Sequence, residues 1–348
     1  MSWRNILILL LIIGALHVLL IIGFSGGCRG CSDSKREDSP SGETVAGENE
    51  TAPDQPALPP PPPPPLRAKK VVPWVYGKNA ALPQKLARQS DRARSGIIVE
   101  VDSRRVIWEK SSRQPVPVAS LTKLMTVLLV AEELESNDNF KLTDMVEISK
   151  SAAGAESAGV AAGEVFTVND LIASMMIRST NGAAIQLAEK ISGSEEKFIR
   201  KMNDRAAELG LQCASFNSAS GLPQGRKKAN SISTASDIIH LCEALMEFKT
   251  VMEFCDKSYA KLSNGKEVYT TNGLLKHPTK ARPYWRKVPG LIGFKTGYTN
   301  AAGSCLAFGA TRNGKTVLGC VTGFQSSADR ERFCNDLIEW AYKTQVKK

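Results

Sequence analysis

Pro115-Val116-Pro117-Val118-Ala119-Ser120-Leu121-Thr122-Lys123-Leu124-Met125-Thr126-Val127-Leu128-Leu129-Val130 passes from an extended, proline-punctuated segment into the most apolar helical pattern of the chain. Proline disfavours helical backbone in the residue before it. The stretch from Leu121 to Leu134, apolar nearly all round, is therefore read as a buried helix that starts near Ser120. Residues three apart share a helix face, so Ser120 and Lys123 set a hydroxyl beside an amine. The helix N-terminus favours developing negative charge there. A lysine buried in such a helix has a lowered pKa and can take a proton from a neighbouring hydroxyl. A capping serine followed by a lysine that extends to solvent explains the same four residues equally well, so the surroundings must decide.

Upstream, Gly96 to Val101 and Val106 to Lys110 read as strands around a turn at Asp102-Ser103. Downstream, Thr167-Val168-Asn169-Asp170 resembles a capping box that opens a helix to about Ile177. Helices follow from about Gly182 to Ile191, after Ser194, and after Thr234 with Asp237. Ser304 to Ala310 and Thr316 to Thr322 read as strands joined at Asn313-Gly314, and a helix from about Ala328 to Tyr342 closes the chain. Strands, then helices, then strands and a helix fit an α/β sandwich. Its sheet is built from both ends of the domain, with an α-rich insertion between them.

The chain has 348 residues, a formal net charge of +10 and 42% hydrophobic residues. It is too long for one average domain and too apolar to be disordered throughout. Ile6 to Phe24 carries His17 as its sole ionisable residue and spans about 28 Å as a helix, close to a bilayer core. Arg4 before it places the N-terminus in the cytoplasm. No A-x-A site follows, so residues 1–27 are read as an uncleaved anchor, with a cleaved signal segment as the alternative. Ser25-Gly26-Gly27-Cys28 resembles a lipoprotein cleavage site only weakly. All three readings export the rest of the chain, so the positive charge is not taken to mean a nucleic-acid partner. Residues 28–72, with prolines from Pro59 to Pro65, are expected to be a disordered spacer. Residues 73–348 form the globular domain.

Several chemistries are poorly supported. Outside the apolar run the histidines are His240, inside a helical pattern, and His277, before a proline; both read as structural. There is no H-E-x-x-H, no paired C-x-x-C and no phosphate-cradling G-x-x-x-x-G-K-[ST] loop, so no metal or cofactor is expected. Ser-x-x-Lys begins at Ser32, Ser120, Ser194, Ser258 and Ser263. Ser32 lies in the spacer, and Ser258 and Ser263 lie in polar, turn-like sequence. Lys197, three after Ser194, is surrounded by Glu195, Glu196 and Arg200 and should stay solvated. Lys123 is the one placed where burial can lower its pKa. Ser179-Thr180-Asn181 lies between two apolar helices, where a loop can project into a cleft. Lys295-Thr296-Gly297 follows Leu291-Ile292-Gly293-Phe294; a small residue at Gly297 lets a ligand approach a strand edge.

Ser-x-x-Lys, Ser-x-Asn and Lys-Thr-Gly, in this order, resemble the motif set of class A β-lactamases and penicillin-binding proteins. Four segments resemble the low-molecular-weight D-alanyl-D-alanine carboxypeptidases more closely: Pro117 to Thr126, Ser220-Gly221-Leu222, Ser233-Thr234-Ala235 with Asp237, and Gly293 to Thr299. The resemblance covers roughly residues 85 to 343. It implies the DD-peptidase/β-lactamase-like sandwich, an antiparallel sheet flanked by helices. It also implies an exported, penicillin-binding serine peptidase that removes the terminal D-alanine from peptidoglycan stem peptides through an acyl-enzyme. β-Lactam antibiotics would act as its inhibitors, outside the cytoplasm and at the cell envelope.

Carried over residue by residue, Ser120 is the nucleophile and Lys123 its base. Ser179 relays a proton to the leaving D-alanine, and Lys295 can share that role. Asn181 binds the substrate backbone, and Lys295 and Thr296 bind its carboxylate. The backbone N–H groups of Ser120 and Tyr298 form the oxyanion hole. Arg332 matches a basic position that assists with the carboxylate, although a surface salt bridge accounts equally well for Arg330 or Arg332. On this reading Lys123 is neutral and Lys295 charged.

The chain departs from the family pattern in three places. Ile292 replaces a common acidic residue, and His277 to Pro289, with Lys280, Arg282, Arg286 and Lys287, is an enlarged basic loop. About 50 residues follow Lys295, which leaves out the β-rich domain and C-terminal membrane helix of many members, so the N-terminal run is expected to supply the anchor. An Asn313-Gly314 hairpin would set Cys305 opposite Thr322 and Cys320 opposite Ala307 as diagonal neighbours, with the cysteines read mainly as small buried hydrophobes. A D,D-endopeptidase would use the same residues. A β-lactamase is disfavoured by the lack of a clear E-x-x-L-N segment after Ser179, and a non-catalytic wall binder would not need Lys123 as well as Ser120.

Overall fold

The structure, a computed structural model, describes residues 67–223, 229–275, 277, 279 and 288–346. The apolar run, the spacer up to residue 66 and the basic positions Lys280, Arg282, Arg286 and Lys287 lie outside the described residues. Among those described, no helix is long and apolar enough to cross a membrane.

The main sheet has five antiparallel strands: β1 (Ser95–Glu100), β2 (Arg105–Lys110), β3 (Leu291–Thr299), β4 (Gly303–Arg312) and β5 (Lys315–Phe324), in the spatial order β2-β1-β5-β4-β3. β1 therefore pairs with the last strand, Ile97 opposite Cys320, and the sheet is closed by both ends of the domain. The helices used below are α1 (Gln84–Ser90), α2 (Lys123–Ser136), α3 (Val168–Ala173), α4 (Asn181–Ser192), α5 (Glu195–Leu209), α6 (Ala235–Leu245), α7 (Lys249–Cys255) and α8 (Ser327–Trp340).

Strand side chains alternate between faces, and here both faces are buried. Ile97, Val99, Ala307, Leu318 and Cys320 belong to the core with α2, α4 and α6. Ile98, Leu306, Phe308, Val317 and Val321 pack with Leu86 of α1 and Phe333 and Leu337 of α8. This gives the strands their continuous apolar character. Among the described residues β3 is an edge strand that pairs with β4 alone, and it carries the Lys-Thr-Gly segment.

The helix starts follow their capping residues. Thr167 accepts from the Asp170 N–H while the Asp170 carboxylate accepts from the Thr167 N–H, a complete capping box. Ser194, Thr234 and Ser326 cap α5, α6 and α8. The apolar helix itself differs by two residues: a 3-10 turn over Ala119–Thr122 precedes it, and α2 begins at Lys123.

The packed chain begins before Val72. Ala68 is buried, its N–H donates to Glu132 at 3.0 Å, and its carbonyl accepts from Arg205. The segment expected to be a spacer thus gives up its last residues to the domain. In the hairpin, Ala307 does lie opposite Cys320, but a bulge between Ser304 and Leu306 shifts Cys305 out of register with Thr322. Cys213, Cys242, Cys255, Cys305, Cys320 and Cys334 are free thiols, all buried except Cys213.

Candidate active site

Three local features present Ser120. Val116-Pro117 pairs with Ile232-Ser233, which holds the approach extended. Ala119 then takes a left-handed φ of 48°, turning the chain sharply into the 3-10 turn. Side chains at i and i+3 eclipse in that geometry, so Lys123 comes directly over Ser120. The Lys123 Nζ lies 3.0 Å from Ser120 Oγ, 2.7 Å from Asn181 Oδ1 and 2.5 Å from the Ser220 carbonyl.

Lys123 is fully buried, and its pKa lies well below the ordinary lysine value, through desolvation first and the nearby Lys295 second. The bonding pattern accommodates the neutral amine. Asn181 and Ser220 offer only acceptor oxygens to it, and these take two N–H groups. In the neutral form the lone pair would be left for the third direction, toward the Ser120 hydroxyl; in the ammonium form the third N–H donates to Ser120 Oγ. The snorkelling reading of Lys123 is excluded by this burial.

Asn181 opens α4. Its amide oxygen accepts from Lys123, and its amide NH2 donates to the Glu156 carbonyl at 2.9 Å. Each end of the side chain thus has one protein partner, and a second lone pair on Oδ1 and a second N–H on the amide nitrogen remain. Ser179, two residues earlier, ends a π-helical turn (Ser174–Arg178) with a left-handed φ of 67°. Non-glycine residues rarely hold that conformation, and it is concentrated at functional loops.

Lys295 and Thr296 are buried on β3. Lys295 Nζ donates to the Thr296 carbonyl at 2.9 Å, and the Thr296 hydroxyl pairs with that of Thr271 at 2.6 Å. Burial, reinforced by Arg330, brings the Lys295 pKa down to about 7. The expectation of a charged Lys295 is thereby narrowed: the ammonium predominates below about pH 7 and the neutral amine above it. At Gly297 an added Cβ would stand 3.1 Å from the Ser120 nitrogen and the Val118 carbonyl oxygen. The close approach that this glycine permits is therefore that of the Ser120 turn. Tyr298 is exposed, and its hydroxyl donates to Asn300.

Arg332 is not brought to this cluster. Its guanidinium is exposed, pairs with Asp329 at 2.9 Å and lines an open groove of about 510 Å³ beside α1, with Lys85, Arg88 and Arg92. None of the Ser120 cluster lines that groove. The cation beside the Lys-Thr-Gly strand is Arg330, which is buried, donates to the Cys305 carbonyl at 3.0 Å and pairs with Glu331 at 2.6 Å. Cys305 is the β4 partner of Gly297. Sequence reasoning also missed Thr271 and the Ser220 carbonyl. His240 stacks on Trp74, and His277 on Tyr269. Among the described residues, no group of three His, Cys, Asp or Glu side chains is placed to hold a metal.

A serine and a buried lysine at the head of a core helix thus face an edge strand with a second buried lysine, on an α/β sandwich. A family model for D-alanyl-D-alanine carboxypeptidase, peptidase S11, matches residues 82–326, and the chain belongs to that family. It is 31% identical over 256 residues to D-alanyl-D-alanine carboxypeptidase DacF of Bacillus subtilis, covering 72% of this chain and 62% of that one. It is also 31% identical to the D-alanyl-D-alanine carboxypeptidase of Streptomyces sp. K15, covering 68% of this chain and 82% of that protein. With DacC of Escherichia coli the match covers 64% of the relative, so the chain spans under two thirds of the length of DacF and DacC. Among solved structures, PBP3 of Streptococcus pneumoniae, described as a peptidoglycan synthesis regulatory factor, superposes with a TM-score of 0.66 at 28% identity, covering 73% of this chain and 72% of that one. Penicillin-binding protein D2 of Listeria monocytogenes in its ampicillin-bound form gives 0.63 at 27%, covering 72% and 98%. The fold is the DD-peptidase/β-lactamase-like sandwich.

Proposed function

We propose that this chain is a serine-type D-Ala-D-Ala carboxypeptidase that trims peptidoglycan stem peptides and is acylated by β-lactams. The observation that carries the reading is Lys123, fully buried with its amine 3.0 Å from Ser120 Oγ. Ser120 Oγ attacks the carbonyl carbon of the penultimate D-alanine, and its proton passes to the Lys123 lone pair. The carbonyl oxygen gains charge and is held by the Ser120 and Tyr298 N–H groups. As the C–N bond breaks, the proton held by Lys123 passes through the Ser179 hydroxyl to the leaving D-alanine amine, which returns Lys123 to its neutral form; Lys295 can share that relay. Lys295 and Thr296 hold the substrate carboxylate, with Arg330 behind them. Water then attacks the ester and gives a proton to Lys123, which passes it to Ser120 Oγ as the acid leaves. A β-lactam opens on Ser120 by the same first step.

The N-terminal apolar run would hold the domain at the outer face of the membrane, with the proline-rich segment as spacer. The test is release of D-alanine from a pentapeptide ending in D-Ala-D-Ala, together with covalent labelling by a fluorescent penicillin. Ser120→Ala should abolish the label and lower turnover by a factor on the order of 10⁶. Undiminished labelling of that variant would sink the assignment.

A further inference from the structure

We propose that Glu195, on α5, is a positioning residue for Lys123: its carboxylate fixes the Ser218–Leu222 turn, whose Ser220 carbonyl aims the amine at Ser120. The inference rests on the catalytic reading of Ser120 and Lys123 given above.

Glu195 lies in the first turn of α5, where a carboxylate is favoured by the helix dipole. Its neighbour Glu196 takes the ordinary course, mostly exposed and paired with Arg200. Glu195 instead turns inward, and its Oε1 accepts from the Ala219 N–H at 2.9 Å. Burial raises its pKa, a departure that the exposed face of α5 would not produce. On the far side of the same residue, the Ala219 carbonyl accepts from Thr126 Oγ1 at 2.7 Å, one turn beyond Lys123 on α2. Ala219 is thus gripped from both sides.

The next residue, Ser220, is fully buried and offers its carbonyl to Lys123 Nζ at 2.5 Å. The turn has no room to drift toward the Ser120 segment. Gly221 holds φ at +83°, and an added Cβ there would lie 2.0 Å from the Ala119 carbonyl oxygen. The Ser218 hydroxyl closes the turn by accepting from the Gly221 N–H at 2.8 Å. A backbone carbonyl cannot be adjusted by its own side chain, so its aim depends on what holds the neighbouring peptide. Glu195 supplies the anchor on the side away from α2. Without it the Ala219 N–H is left unpaired, the turn relaxes, and one of the two acceptors that direct the lysine lone pair is lost.

The test is pre-steady-state acylation of the full chain by a fluorescent penicillin, resolved into a non-covalent dissociation constant and an acylation rate constant, with thermal unfolding alongside. Glu195→Ala should slow acylation about tenfold, the effect of one misplaced buried hydrogen bond, while the dissociation constant moves by about twofold or less. Glu195→Gln keeps an acceptor oxygen at the same reach and should recover acylation to within about threefold of the parent. Glu196→Ala should acylate like the parent. If Glu195→Ala fails to fold, Glu195→Asp is read instead: its retracted carboxylate should slow acylation in a folded protein. The inference is overturned if the alanine (or aspartate) variant acylates like the parent, or if glutamine fails as badly as alanine. A parent chain that penicillin does not label would overturn the catalytic reading itself, which is a separate result.

Discussion

The side-chain oxygen of Asn181 accepts a hydrogen bond from Lys123 Nζ at 2.7 Å, across 58 residues of sequence. On the proposed reading of Lys123 as the base, this contact aims it, because a neutral amide oxygen directs the amine without adding charge. Asn181→Asp keeps the shape and adds a carboxylate. An opposite charge within about 4 Å raises a lysine pKa by about 1–3 units. Acylation at pH 7 should then fall in proportion to the neutral amine that is lost. Activity should return as pH rises through the new pKa. The check is the pH dependence of the acylation rate constant: a variant as active as the parent at pH 7, or one with an unmoved acidic limb, would remove Asn181 from this role.

Lys295 gives a second pH signature. Its pKa of about 7 means that the ammonium, the form that would bind a carboxylate, predominates below that pH and is lost above it. The kcat/KM profile reports groups of the free enzyme. The ratio of kcat/KM for a carboxylate-ended donor to that for its amide should therefore decline as pH rises through about 7. Lys295→Ala should flatten the ratio and lower the carboxylate donor selectively, by about 2–5 kcal/mol or roughly 30- to 5000-fold. Equal loss for both donors would assign Lys295 to proton transfer or to structure.

The parts of this site that were legible from sequence are those written in side chains at fixed local spacing. Ser120 and Lys123 are three apart, the Thr167 and Asp170 cap is three apart, and Lys-Thr-Gly falls on one strand. What was hidden has no such signature. The Ser220 acceptor is a backbone carbonyl, identical in every residue type. Arg330 and Arg332 are two apart on α8, hence on opposite faces, and only the packing of α8 on the sheet decides which one turns inward. The bulge that displaces Cys305 depends on pairing with β5, and the early start of the domain at Ala68 depends on Glu132 and Arg205, neither of which is near it in sequence.

That last contact is itself open to test. Arg205 and Glu132 are both buried, with a 2.7 Å ion pair between α5 and α2, and together they hold both backbone groups of Ala68. Removing one partner of a buried pair leaves an uncompensated charge and costs about 3–5 kcal/mol. Glu132→Ala should fall at the low end, about 3 kcal/mol, because Glu208 still pairs with Arg205 at 2.9 Å. The double variant Glu132→Leu with Arg205→Met should be less damaging than the single one. Urea unfolding of the three proteins decides it; a single variant as stable as the parent would mean that the pair contributes nothing.

Gly297 tests whether the edge strand sets the position of the nucleophile turn. Its added methyl would meet three backbone atoms: the Ser120 nitrogen and Val118 oxygen at 3.1 Å and the Leu121 nitrogen at 3.3 Å. Backbone on both sides cannot rotate out of the way as a flexible side chain can. Either β3 or the 3-10 turn must move by a few tenths of an ångström, and overpacking of this kind costs about 1–3 kcal/mol. The displaced atoms include the N–H proposed to hold the oxyanion, and small errors in reacting geometry lower rates by up to about 10²-fold. Gly297→Ala should therefore lower the unfolding midpoint modestly and slow acylation more than its stability loss explains, with no change in penicillin specificity. The comparison that decides it is Gly309→Ala on β4, where the added methyl meets the side chains of Ile292 and Phe294. That substitution should destabilise the sheet and leave the acylation rate of the folded fraction near that of the parent. If the two variants slow acylation equally, the Gly297 effect is general strain in the sheet and not displacement of Ser120.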